Sequence, residues 1–181
     1  MSEAAVTDLP GWFGKLPNLG DFASRRLPAS FIGPWDAWLQ AGLTAAREEL
    51  GARWLDVYLV APVRRFCVAP GVIDAQAWTG ILMPSVDRVG RHFPLTIAQS
   101  IGRVDAVWYA AVDAVARRVL DVNFSADDFE QALSGVPAAQ AAEAPDAGSV
   151  WWCGDAIALL RFAGLPPAAS FASLLVEAEV A

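Results

Sequence analysis

Residues 57–101 read VYLVAPVRRFCVAPGVIDAQAWTGILMPSVDRVGRHFPLTIAQSI, and this stretch decides the fold. It holds four apolar runs, at 57–61, 65–68, 78–83 and 93–101. β-Branched and aromatic residues fill them, while Pro62, Pro70-Gly71 and the polar loop 84–92 separate them. Short strands that follow one another with few helices between them pair as antiparallel neighbours. The runs are apolar on both faces, which requires a helical layer on each side of the sheet. The expected fold is therefore α/β: a three-layer sandwich whose central sheet is mostly antiparallel, with five or six strands and helices on both faces. A two-layer form is the alternative.

Working outward, the spacing predicts a helix over Ala29–Leu50. Phe31, Trp35, Trp38, Leu39, Leu43, Ala46 and Leu50 repeat near the helical period, and Gly51 stands where a C-terminal cap belongs. Pro34 perturbs its first turn or marks its start. Before it, 11–16 reads as an edge strand leading into a turn at 17–20. Downstream, a helix is expected over 104–122, with Val104, Val107, Trp108, Ala111, Val115, Val119 and Val122 as its stripe and Asp105 near its N-terminus. A second runs over 125–133, where Ser125 and Asp128 approximate a capping box and Gly135 stops the helix. Residues 137–148 form a loop, 150–153 and 156–162 are strands, and 166–178 is a last helix. Trp35, Trp38, Trp108, Leu39 and Val112 are expected in the core.

The 181 residues suit one domain, 1–181, with 1–10 as a flexible N-terminus. Hydrophobic residues make up 55% and charged residues 18%, ample for a packed core. Net charge is -7, which disfavours nucleic acid as a partner. Residues 1–103 carry +1 and residues 104–181 carry -8, so an anionic partner would meet the N-terminal part. Cys67 and Cys153 are too few for a disulfide framework, and MSEAAVTDLPGW lacks the basic and apolar regions of a signal peptide. No apolar run reaches the ~18 residues of a membrane span. A soluble cytoplasmic protein, with no membrane insertion, is the consistent reading.

Catalytic chemistry has little to stand on. A Ser–His or Cys–His arrangement would have to use His92, the single histidine, and its neighbours do not define a base. One His and two distant Cys cannot make an ordinary zinc site, so no metal is expected. Gly11, Gly14 and Gly20 lack dinucleotide-binding spacing, and Gly14-Lys15 lacks the rest of a P-loop, so no cofactor is expected. Catalytic residues are expected to be none. Two segments stand out instead. The first, GKLPNLGDFASRR at 14–26, uses Pro17 and Gly20 to fix a turn ahead of Asp21 and Phe22. Asp21 either pairs with Arg25, if the stretch is helical, or caps its own turn. The second, PSVDRVGRHFPL at 84–95, places Asp87, Arg88, Arg91 and His92 in one loop, with Gly90 for a tight reversal. An Asp87–Arg91 pair either stiffens this hairpin or belongs to a binding surface. Charge is scarce in this chain, yet Lys15, Asp21, Arg25, Arg26, Asp87, Arg88 and Arg91 gather in these two segments. They are the candidate partner-binding residues, expected to form one polar patch.

The pairing of GWFGKLPNLGDFASRRLPASFIGPWDAWLQ with PSVDRVGRHFPL resembles the TagF (ImpM) family of type VI secretion-associated proteins. The likeness is firm from Gly11 to Ile101, and VWWC and GLPPAASF extend it more loosely. The resemblance implies a longin-like sandwich and a non-enzymatic, post-translational repressor of type VI secretion. It implies a forkhead-associated scaffold protein of the apparatus as the partner. Since the chain ends soon after its last helix, no fused phosphatase domain of the kind some relatives carry is expected. The alternatives are a small hydrolase using Asp21 or Asp87, and a structural subunit of the apparatus. Oligomeric state stays open.

Overall fold

The structure is a computed structural model that describes residues 9–102, 104–140, 143–155 and 158–177. Seven strands form one sheet: β1 Gly11–Gly14, β2 Ala23–Arg25, β3 Arg64–Val68, β4 Trp78–Met83, β5 Leu95–Gln99, β6 Ser149–Cys153 and β7 Leu160–Phe162. Their spatial order is β2-β1-β5-β4-β3-β6-β7, and every neighbouring pair is antiparallel. Four helices accompany them: α1 Ala29–Leu50, α2 Trp54–Leu59, α3 Ala106–Arg118 and α4 Ala126–Ser134. A 3-10 segment, Ala168–Leu174, lies against α1.

Alternation along the strands builds two cores. Phe66, Leu82 and Trp151 join Phe31, Trp35, Leu39 and Phe171 on the α1 face. Cys67, Ile81 and Trp152 join Trp108, Val112, Phe129 and Leu133 on the α3–α4 face. The three-layer α/β sandwich is therefore present, with a strand count above the five or six expected.

The helix over Ala29–Leu50 has the expected bounds, and Gly51 caps it with φ 52 and its N–H on the Arg47 carbonyl. Pro34 sits inside the helix, past its first turn, and does not mark its start. The 57–61 segment is not a strand but falls in α2 and its C-terminal turn. It leads straight into β3, whose two edges are already taken by β4 and β6. The strand at 11–16 is not at the edge, because β2, which the sequence reading omits, covers β1. In α3 the buried stripe is Trp108, Tyr109, Val112 and Ala116, continuing to Val119 beyond its last turn. Val107 and Val122 are exposed, so the expected phase is displaced. Trp38 is half-buried, with its indole N–H donating to the Pro166 carbonyl at 2.7 Å; Trp35, Leu39, Trp108 and Val112 are buried. The last helix is the 3-10 segment; its expected end at 178, like residues 1–8 of the N-terminus and the start of the 156–162 strand, lies outside the described residues. Among the described residues no helix is long and apolar enough to cross a membrane.

Candidate functional site

The two motifs fold against each other. The second motif is the β4–β5 connection, reversed at Gly90 with φ 86 and closed by a Val86–His92 bridge. The first leaves β1 at Gly14, where φ is 140 and an added Cβ would come within 2.3 Å of the Pro94 carbonyl oxygen. Glycine is required there by both conformation and space. Lys15 then enters the second loop. Its ammonium donates to Asp87 Oδ2 at 3.0 Å, and both side chains are buried, at 6% and 0% exposure.

Asp87 is the hub. Arg91 Nε donates to Oδ2 at 2.6 Å, and the backbone N–H groups of Val89 and Arg91 donate to Oδ1 at 3.0 and 2.9 Å. Four donors fill the sites a carboxylate offers. Burial alone would raise the Asp87 pKa, but the Arg91 N–H, Lys15, the Arg91 side chain and the Val89 N–H outweigh it, holding the carboxyl far below its usual range. A carboxylate so acidic and so fully occupied has neither the basicity nor a free lone pair for activating water. Asp87 organises the loop. Two bonds to the first motif's backbone extend the lock: Arg88 N–H donates to the Leu19 carbonyl at 3.0 Å, and the Arg91 side chain donates through Nη2 to the Gly20 carbonyl. Ser85 Oγ donates to the Lys15 carbonyl at 2.7 Å, and the buried Tyr58 phenol donates to the Ser85 carbonyl at 2.8 Å. Burial pushes that phenol well above its ordinary pKa, so Tyr58 is a fixed donor.

What the lock presents outward is cationic and aromatic. Arg88 is exposed, with its Nη2 3.4 Å from where a Gly20 Cβ would stand, and Arg91 keeps 55% of its side chain exposed. Phe22, 45% exposed, stacks on Phe13 and meets Phe93 edge-on, with Lys15 Nζ 4.8 Å from its ring centre. Val89 is exposed beside them in the loop.

The seven candidate residues do not all share this patch. Lys15, Asp87, Arg88 and Arg91 do. Asp21 makes no pair with Arg25; its Oδ1 accepts from the Phe22 N–H at 2.8 Å, because 23–25 is strand and not helix. Arg25 lies on β2, across the sheet register from Trp12, with its guanidinium 5.8 Å from that ring. Arg26 adopts φ 61 and is tied to the Pro10 carbonyl and to Glu130 on α4. Glu130 also accepts from the Trp12 indole N–H. Burial raises the Glu130 pKa, and hydrogen bonds from Arg26 and Trp12 bring the net shift below the ordinary value. Glu130 is 118 residues from Trp12, and nothing local in the sequence joins them. His92 packs edge-on against Tyr58 at 5.5 Å. Among the described residues neither cysteine forms a disulfide. Among the described residues no three of His, Cys, Asp and Glu gather as metal ligands would.

Residues 11–136 match the model of the TagF N-terminal domain, type VI secretion system-associated. No curated protein matches the chain. The crystal structure of PA0076 from Pseudomonas aeruginosa PAO1 superposes with a TM-score of 0.82 at 38% identity, covering 95% of this chain and 96% of that one. The family match spans both motifs and all four helices, and the chain belongs to the TagF family of type VI secretion system-associated proteins.

Proposed function

We propose that the protein is a non-enzymatic, cytoplasmic regulator that represses type VI secretion post-translationally by binding a forkhead-associated scaffold protein of the apparatus. The observation that carries this reading is the buried Lys15–Asp87–Arg91 lock. It holds two exposed arginines and an exposed phenylalanine in one place on an otherwise acidic protein. A rigid aromatic-and-arginine patch suits protein recognition, where Arg and aromatic anchors carry much of the affinity. The commitment of Asp87 to four donors favours a binding role over hydrolysis.

The test is made in the host bacterium. Deleting the gene is expected to raise type VI secretion at unchanged levels of the apparatus proteins. Restoring the wild-type chain should lower it again, and restoring Arg88→Glu at equal abundance should not. Secretion unchanged by deletion would overturn the repressor role.

A further inference from the structure

Helix α2 has two apolar faces, and the fold uses one of them. Tyr58 is buried in the α1 core, and Val57 packs against that core beside it. Leu55 and Leu59, one helical turn apart, form a second stripe, which Val60 extends into the C-terminal turn. All three are exposed. Ten large hydrophobic side chains are exposed among the described residues, and five of them, Phe22, Val89, Leu55, Leu59 and Val60, lie on α2 or on the two motif loops. That concentration, next to exposed arginines, has the composition of a protein interface rather than of ordinary surface.

The ridge on α2 is fixed to the second motif. The Tyr58 phenol donates to the Ser85 carbonyl and accepts from the Ser85 N–H at 3.1 Å, so both partners are bound through one residue. The Tyr58 ring meets His92, the neighbour of Arg91, edge-on at 5.5 Å. Ala61 and Pro62, which follow the ridge, line one hollow with Pro84 and Pro94 at the two ends of the second motif's loop. The ridge and the arginines of the loop are thus held in one fixed relation.

We propose that α2 is the second half of the docking surface, and that the partner segment seated on it carries apolar side chains beside carboxylates. This rests on the loops being the site of the scaffold protein, as proposed above. Charge supports such an occupant. The segments 15–22, 51–59 and 84–92 hold Lys15, Arg53, Arg88 and Arg91 against Asp21, Asp56 and Asp87, four cations to three anions, or +1 on a chain of -7. Lys15 and Asp87 neutralise each other internally. The surface is therefore mainly apolar with a small cationic excess at Arg88 and Arg91. A second copy suits it less well. The three side chains of the ridge fall far short of the roughly 800 Å² per partner that a stable interface buries. A copy that covered the loops as well would bring one chain of -7 against another. The same charge opposes an anionic membrane.

The test is calorimetry of the full chain with the purified scaffold protein at low and high salt, for the wild type, Arg88→Glu and the double variant Leu59→Ser/Val60→Ser. Leu59 and Val60 are 59% and 81% exposed, so the double variant is expected to keep the wild-type melt. It should weaken binding about tenfold at both salts, because lost apolar contact is not screened. The loss in Arg88→Glu should shrink at high salt. Wild-type affinity in the folded double variant, with Arg88→Glu still weakened, would overturn the role of α2 and leave the loop patch standing. No binding by the wild type would overturn the loop reading and the role of α2 with it. Self-association of the wild type, or its pelleting with vesicles of anionic phospholipid, either one abolished in the double variant, would assign the ridge to a second copy or to a membrane and overturn the proposal.

Discussion

Asp87 shows how one residue sets a loop and gives it a pH dependence. Its folded pKa lies below its unfolded value of about 3.9. A depressed carboxylate contributes stability that is fully present above the unfolded pKa and is lost as pH falls through the folded one. Asp87→Asn should therefore lower the melting temperature at neutral pH. It should also flatten the decline of melting temperature below about pH 4 relative to wild type. Melts of both proteins between pH 7 and 2 check this; parallel curves would show that Asp87 contributes nothing through its charge. Glu130 and Asp128 are also depressed and contribute to the slope that remains. Gly14 is a second single-residue test. Gly14→Ala must place a Cβ against the Pro94 carbonyl at φ 140, with a cost on the order of 1–3 kcal/mol or more by thermal or chemical denaturation.

At the scale of elements, stability is shared between caps and aromatic stacks. The α4 capping box is complete: Ser125 Oγ accepts from the Asp128 N–H at 3.1 Å, and Asp128 Oδ2 accepts from the Ser125 N–H at 2.9 Å. Ser125→Ala should cost about 1 kcal/mol, a fall of about 2–4 °C in Tm. Trp35 is fully buried against Phe31, Trp38, Phe66 and Trp151, and its indole N–H donates to Thr96 Oγ1 at 2.8 Å. Trp35→Ala should cost about 3–5 kcal/mol by denaturant unfolding. These elements also show what a sequence makes legible. α1 announces itself by a long aromatic stripe closed by Gly51, and α4 by Ser125 and Gly135, because caps and periodicity are local. The segment 57–61 has strand chemistry, but it leads straight into β3, both of whose edges β4 and β6 occupy. In α3 the valines are apolar all round, so packing of Trp108 and Tyr109, not composition, chooses the phase. β2 is three residues long and carries no pattern of its own. The patch was half legible: Pro, Gly and Asp mark each loop. That Arg26 turns away to Glu130, 104 residues distant, is a property of the fold alone.

Across the whole molecule, charge is arranged unevenly, with -8 in residues 104–181 and +1 before them. The patch formed by Arg88, Arg91 and Phe22 lies in the less acidic part. An acidic surface on the scaffold protein would be drawn to it and repelled by the remainder, which orients encounter as well as adding affinity. The most direct test is the dissociation constant for the purified scaffold protein, measured by calorimetry at low and high salt for the wild type and for Arg88→Glu. The account predicts that wild-type affinity falls with salt, that Arg88→Glu weakens binding by about thirty-fold or more at low salt, and that its melt is unchanged. Full wild-type affinity in a folded Arg88→Glu variant would contradict it.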